Sequence, residues 1–134
     1  MVTIGSKGIY ALSAMYALSR APRGRSMQTR EIAAVTGISR GYLEQILSAL
    51  RRSGLVSSVR GAAGGYTLAK PASQMSVLEI IETLEGPLCD YEKSMAGSPI
   101  LENFLSDAQR QVRKIFALKL TELDQIYQPF HYEI

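Results

Sequence analysis

The sequence predicts a mainly α-helical fold with one small β-hairpin. Apolar residues recur every three or four positions along most of the chain, glycine or proline separates these stretches, and two short β-branched segments lie near the middle. Hydrophobic residues make up 46% of the 134 residues, and charged residues 20%. This is enough apolar material for a packed core. We therefore expect one compact domain with an accessory element.

Three helices are predicted first, at residues 7–20, 29–36 and 40–53. Ile9, Leu12 and Tyr16 share one face of the first helix. Gly37 ends the second helix, because a tight turn favours a residue that tolerates positive φ. Ser39 is suited to cap the third helix. Two short helices joined by a tight turn are typical of a helix-turn-helix, although any αα-hairpin has the same outline.

A β-hairpin is predicted directly after the third helix. Residues 55–60 and 66–69 have the length of strands, and the glycine-rich residues 61–65 between them form a flexible tip. A hairpin in this place is a wing, which can lie along the DNA backbone or enter the minor groove. The pattern therefore predicts a winged helix-turn-helix DNA-binding domain over residues 1–75.

Two further helices are predicted beyond the wing. Ser76 and Glu79 form a capping box that opens a helix at 77–85. The longest helical pattern then runs over 99–124, so we assign residues 76–134 to an effector loop and dimerisation helices. A helix of about 25 residues would be about 37 Å long.

Such a helix is longer than the small head is wide, so part of its apolar stripe needs another partner. A second copy of the chain is the economical choice, since most homo-oligomers are two-fold symmetric dimers. The alternative is a helix folded wholly onto its own domain. The candidate dimerisation residues are Leu101, Phe104, Leu105, Ala108, Val112, Ile115 and Phe116.

Charge is unevenly distributed along the chain. Residues 1–70 carry ten Lys and Arg against two acids, a net charge of +8, whereas residues 71–134 carry five against ten, a net charge of −5. A basic front half beside an acidic back half is typical of a nucleic-acid-binding head on an acidic body, although a solvated basic surface has the same composition.

Several other classes of protein are disfavoured. The apolar stretches are far shorter than the roughly 20 residues that cross a bilayer. The single cysteine, Cys89, allows no intrachain disulfide and fits a reducing cytoplasm. One histidine, one cysteine and no glycine-rich phosphate loop before a helix leave little for a catalytic site, so we do not expect an enzyme.

Four segments together resemble the Rrf family of winged-helix regulators. They are SKGIYA at 6–11, ISRGYLEQIL at 38–47, LRRSGLVSSVRG at 50–61 with GGY at 64–66, and LEGPL at 84–88. The resemblance covers residues 4–88 strongly and the long helix only in pattern. The family includes iron–sulfur-cluster assembly regulators, nitric-oxide-sensing repressors and cysteine-metabolism repressors. It implies a homodimer that binds a pseudo-palindromic operator, most often as a repressor.

The third helix would enter the major groove with its N-terminal turn nearest the bases. Arg40 can contact guanine or phosphate, and Glu44 can accept from cytosine, unless it is a solvated acid or the partner of an arginine. The resemblance implies that Tyr42 packs against the backbone and that Arg60 reaches the minor groove. The candidate DNA-binding residues are Lys7, Gln28, Thr29, Ser39, Arg40, Tyr42, Glu44, Arg51, Arg60, Gly61, Gly64 and Gly65.

Many relatives hold an iron–sulfur cluster on three cysteines after the Gly-Pro-Leu segment. Such clusters usually need four protein ligands, mostly thiolates, and this chain offers Cys89 and His131. We therefore expect no cofactor and no metal. The signal is then a thiol switch at Cys89, a small-molecule effector or a protein partner, unless Cys89 is incidental.

The aromatic-rich tail at 127–134 is similar to that of the cluster-free cysteine-metabolism repressors. It suggests docking to a metabolic enzyme such as cysteine synthase, or packing on the body of the protein. The sequence thus predicts a DNA-binding transcriptional regulator, a repressor that acts as a homodimer. The alternatives are a protein–protein adaptor on a winged-helix scaffold and a redox-sensing regulator based on Cys89.

Overall fold

The fold is mainly helical with a single two-stranded hairpin, as the sequence predicts. The computed structural model describes residues 4–22 and 25–127. Its helices are α1 (Ser6–Arg20), α2 (Thr29–Thr36), α3 (Arg40–Arg52), α4 (Val77–Glu85), α5 (Pro99–Phe116) and α6 (Glu122–Ile126); its strands are β1 (Val56–Val59) and β2 (Gly65–Leu68). Short 3₁₀ turns lie at Ala72–Gln74 and Lys93–Met95. The first four helices agree with their predicted bounds to within one residue.

One hydrophobic core joins α1, α3 and α4. Leu43, Leu47 and Leu50 follow one another at steps of four and three residues, which places them on the same buried face of α3. Met15 from α1 and Ile80 from α4 complete the centre of this core. Each such side chain contributes about 1.5–3 kcal/mol when it is fully buried. Because α4 shares the core of the head, the head and α4 are packed together; the domain boundary after residue 75 stays a prediction.

The wing pairs with the segment that precedes α2. β1 and β2 are antiparallel, with Val56 opposite Leu68. The Met27 N–H donates to the Tyr66 carbonyl at 2.9 Å, and the Tyr66 N–H donates back to the Met27 carbonyl at 2.7 Å. The hairpin is therefore fixed to the start of the helix-turn-helix by a third, one-residue strand position, which the sequence pattern did not predict.

The prediction of one long C-terminal helix is wrong. α5 ends at Phe116, and the chain then forms a bridge to the segment before α4. The Val77 N–H donates to the Leu118 carbonyl at 2.8 Å, and the Leu120 N–H donates to the Met75 carbonyl at 2.8 Å. The buried Leu120 side chain belongs to the main core. α5 is therefore 18 residues and about 27 Å long.

The apolar stripe of α5 is only partly covered. Leu101, Phe104 and Ile115 are exposed, whereas Leu105, Ala108, Val112 and Phe116 are half-buried. No residue of α5 is buried; Phe104 is 65% exposed and Ile115 74%. Large apolar side chains arranged along one helix at this exposure mark an interaction surface rather than scattered surface residues. Within the described residues, we find no helix with the length and apolar character needed to cross a membrane.

Candidate DNA-binding surface

The start of α2, the first half of α3 and the tip of the wing enclose a cleft of about 290 Å³. Most of the residues that line it are among those predicted to bind DNA. They are Gln28, Thr29, Arg40, Glu44, Gly61, Gly64 and Gly65, together with Arg30. The structure therefore brings side chains from three separate segments to one surface.

The exposed face of α3 presents Arg40 and Glu44, one helical turn apart. Both are exposed and lie beside the apolar face that holds α3 in the core. Ser39 occupies the predicted N-cap position but makes no side-chain capping bond, and it is exposed. Its hydroxyl is therefore available to a ligand. Tyr42 is half-buried, with its ring edge-on to Tyr10 at 5.4 Å between centroids, so its position is fixed by protein contacts.

The tip of the wing is tied to the segment before α2 by two side chains. The Ser26 hydroxyl donates to the Ala63 carbonyl at 2.7 Å, and the Gln28 amide donates to the Ala62 carbonyl at 3.3 Å. The amide of Gln28, one of the predicted DNA-binding residues, is thus engaged with the wing. Sequence reasoning missed Ser26, because the sequence around a serine in a connecting segment does not indicate which distant carbonyl its hydroxyl will contact.

Glycine occupies the positions of the wing for different structural reasons. Gly61 has a φ of +104° and faces open space. A Cβ on Gly64 would lie 2.3 Å from the Val59 carbonyl oxygen, and one on Gly65 would lie 2.3 Å from the Met27 carbonyl oxygen. The lack of a side chain at Gly64 and Gly65 is therefore required inside the protein, and their contact with DNA stays a prediction.

The remaining predicted residues lie outside the cleft. Lys7 lies in the first turn of α1, Arg51 in the last turn of α3 and Arg60 just before the wing tip, and all three are exposed. Arg30, which sequence reasoning missed, is exposed and lines the cleft. Arg30 could have been predicted as a DNA-binding residue, because it lies in the first turn of α2 directly after Thr29. The positions of these four cations are typical of phosphate contacts that surround a base-reading helix.

A helix-turn-helix followed by a wing, with basic and polar side chains on its exposed face, defines the class of winged-helix DNA-binding folds. The chain belongs to the Rrf2 family: the family model, described as an iron-dependent transcriptional regulator, matches residues 4–128. This confirms the resemblance seen in the sequence. Because the family is one of transcriptional regulators, the prediction that the chain is not an enzyme is also confirmed.

Individual relatives agree with this family. The chain is 41% identical to the HTH-type transcriptional regulator IscR of Photorhabdus laumondii over 96 residues, which are 69% of this chain and 58% of that protein. The structure of CymR, the global cysteine regulator of B. subtilis, matches with a TM-score of 0.84 and 32% identity over 93% of this chain and 98% of that one. T. potens IscR matches with a TM-score of 0.78 and 28% identity over 98% and 93%.

The match to the curated relatives is partial in length. The chain spans 58% of the Photorhabdus protein and 49% of the Escherichia coli IscR that it matches at 45% identity over 60% of this chain. What those longer proteins do as a whole therefore reaches this chain only as a proposal.

The prediction that the protein has no cofactor is contradicted by the family description, which is that of an iron-dependent regulator. The ligands offered by the described residues do not fit such a group. They contain no cluster of three or more His, Cys, Asp or Glu side chains. Cys89 is the single cysteine of the sequence, and His131 lies outside the described residues. The described residues therefore offer no set of side chains that would hold iron.

Cys89 lies in the loop after α4. It is a half-buried free thiol with a φ of +57°, a backbone conformation that residues other than glycine rarely adopt. Helix α5 contacts this loop: the Gln109 amide donates to the Leu88 carbonyl at 3.3 Å. The role of Cys89 as a sensor stays a prediction.

Proposed function

We propose that this protein binds double-stranded DNA as a homodimer and represses transcription at a pseudo-palindromic operator. In this proposal, residues 1–75 read DNA and residues 76–134 join the two copies and receive the signal. Such a regulator acts in the cytoplasm, where its operator lies. Membership of the Rrf2 family supports the class of function.

The observation that carries the proposal is the cleft between α2, α3 and the wing. It combines an exposed carboxylate, Glu44, with the cations Arg30 and Arg40. A carboxylate on a base-reading helix can accept from the cytosine amino group, and arginine pairs with guanine or phosphate. An adaptor that bound only an acidic protein would gain nothing from Glu44.

The exposed stripe of α5 supports the dimer. Two copies related by a two-fold axis would cover the same stripe on each other, and both recognition helices would then face one side of the DNA. Half-sites about one helical turn apart are expected from this arrangement.

The proposal is tested by selecting bound sequences from random genomic fragments with purified protein at about physiological salt. We expect an enriched palindrome whose half-sites have this spacing. No binding even at low salt would contradict the proposal and favour the adaptor. Binding without any motif would contradict sequence-specific recognition.

Two variants separate base reading from phosphate contact. Glu44→Gln should relax selection at one position of each half-site, with a cost of about 1–3 kcal/mol on the selected operator. Arg51→Gln should weaken cognate and random DNA alike and reduce the salt dependence by about one phosphate contact per protomer. Lys93→Gln, an exposed charge-matched change outside this surface, is the control.

A metabolic enzyme such as cysteine synthase is a further proposed partner, docking to the tail at 127–134. Residues 128–134 lie outside the described residues. Similarity to a protein named as a cysteine regulator supports this choice. Deletion of residues 131–134 should abolish co-purification with cysteine synthase, and unchanged co-purification would contradict the proposal.

A further inference from the structure

A second cavity lies in the head, between α1 and α2. It has a volume of about 560 Å³, within the range of small-molecule sites. It shares no lining residue with the DNA cleft. Ala17, Met27 and Val35 give it an apolar wall, while Arg20, Arg25 and Glu31 supply its charges.

Arg25 and Glu31 form a loose pair of opposite charges at this cavity. The Arg25 Nη2 atom lies 3.8 Å from the Glu31 Oε2 atom, and both side chains are more than a third exposed. Such a pair contributes little to stability and opens at low cost. The Gln28 N–H donates to the other Glu31 oxygen at 3.1 Å, so the carboxylate stays in place when the pair opens.

The charge of Arg20 is neutralised from a different helix. Asp124 of α6 accepts from the Tyr16 hydroxyl at 2.5 Å and from the Arg20 guanidinium at 3.0 Å. The Tyr16 hydrogen bond, together with Arg20, lowers the pKa of Asp124 below its ordinary value, so Asp124 stays ionised beside Arg20. The charges at this cavity that a ligand can engage at low cost are therefore those of Arg25 and Glu31, which are held by a long, exposed pair.

We infer that this cavity binds a zwitterionic α-amino acid with an apolar side chain. Its carboxylate would pair with Arg25, its ammonium group with Glu31, and its side chain would lie on Ala17, Met27 and Val35. A plain anion would meet Glu31, and a plain cation would meet Arg25. Only a ligand with both charges satisfies both side chains and the apolar wall.

The position of the cavity connects it to DNA recognition. Glu31 and Val35 belong to α2, the first helix of the helix-turn-helix, whereas Ala17 belongs to α1. A bound amino acid would therefore fasten α2 to α1 and change the population of the arrangement that fits an operator. This last consequence rests on the proposed function, but binding of the amino acid does not.

Binding is tested by NMR titration of the full chain with L-valine, L-leucine, L-isoleucine and L-methionine, each to about 10 mM. We expect saturable shifts at the methyl groups of Ala17 and Val35 for at least one of them. For the amino acid that binds, its methyl ester lacks the carboxylate and its N-acetyl form lacks the ammonium group. Each derivative should bind about tenfold more weakly or worse.

Two variants, each of which replaces one charged side chain by a neutral amide, give the matching test on the protein. Arg25→Gln should weaken the amino acid about tenfold but leave its methyl ester unaffected, and Glu31→Gln should do the same with the N-acetyl form as the unaffected ligand. The amide oxygen of glutamine can still accept from Gln28, so Glu31→Gln preserves the helix start. Lys93→Gln should bind as the wild type does.

The inference is overturned if none of the four amino acids gives saturable shifts, or if both derivatives bind as well as the parent. Equal binding of the derivatives would indicate an apolar surface without charge recognition. A protein that binds an amino acid but no DNA would contradict the proposed function alone, whereas one that binds DNA but no amino acid would contradict this inference alone.

Discussion

Gly8 shows how a single missing side chain fixes the start of a helix. The Gly8 N–H donates to the Glu85 carboxylate at 2.8 Å, although Glu85 lies 77 residues away at the end of α4. A carboxylate at the positive end of a helix is favourable. A Cβ on Gly8 would lie 2.8 Å from the Glu85 Cγ atom. Glycine here therefore makes room for a cap supplied by another helix, next to the proposed phosphate contact Lys7.

We predict opposite effects of alanine at two helical glycines. Gly8→Ala should lower the free energy of unfolding by about 1 kcal/mol, because Glu85 must move and its hydrogen bond is lost. Gly41→Ala should raise it by about 0.5–1 kcal/mol, because Gly41 lies in α3 with open space around it. Urea unfolding measures both, and an equal rise in the two variants would contradict the role of Glu85.

At the scale of elements, α4 and α5 are joined by one carboxylate. The two oxygens of Glu82 accept from Arg113 of α5 at 2.8 and 3.1 Å, and one of them also accepts from the Leu88 N–H at 2.7 Å. The Arg113 guanidinium holds the pKa of Glu82 below its ordinary value of 4.5. Glu82 thus links α4 to α5 and to the start of the loop that carries Cys89.

This link gives a pH dependence with a definite sign. Because the pKa of Glu82 is lower in the folded state, the carboxylate stabilises the protein above the unfolded pKa, and this stabilisation is lost as the pH falls through the folded pKa. Glu82→Gln should cost about 1 kcal/mol near neutral pH, a modest value because Arg113 is partly exposed. Its difference from the wild type should disappear in acid. A difference that stays constant from neutral pH to below about pH 4 would contradict this account.

Elements that local patterns define could be predicted from the sequence. α2 and α4 have their predicted bounds because Gly37 and Gly86 end them in conformations with positive φ. The end of α5 could not be predicted, because Leu120 continues an apolar pattern that suits a helix as well as the core.

The candidate site was predictable to the same degree. The exposed face of α3 follows from helical periodicity, so the positions of Arg40 and Glu44 could be predicted, while their contacts with DNA stay a prediction. The contacts of Ser26 with the wing depend on which distant segments meet, and so does the internal reason for Gly65. Long-range contacts of this kind leave no periodic signal in one sequence.

At the scale of the whole molecule, the excess of basic residues and the exposed apolar face of α5 lie in different halves of the chain. The basic half holds the proposed DNA-binding surface, and the acidic half holds the exposed face of α5. Phosphate attracts the first half and repels the second, so only one side of the molecule is favoured against DNA. The acidic half is therefore available for the proposed contact between two copies of the chain.

The dimer is tested by one charge on the stripe of α5. Phe104→Glu should yield a monomer at about 10 μM in sedimentation experiments, because two-fold symmetry would bury a carboxylate from each copy in an apolar interface. Affinity for a full operator should fall by about 100-fold or more, since each monomer would hold one half-site alone. Val35→Glu, at an exposed apolar residue of α2 outside residues 76–134, is the matched control and should remain dimeric. A Phe104→Glu protein that stays dimeric and binds the operator normally would place the interface elsewhere.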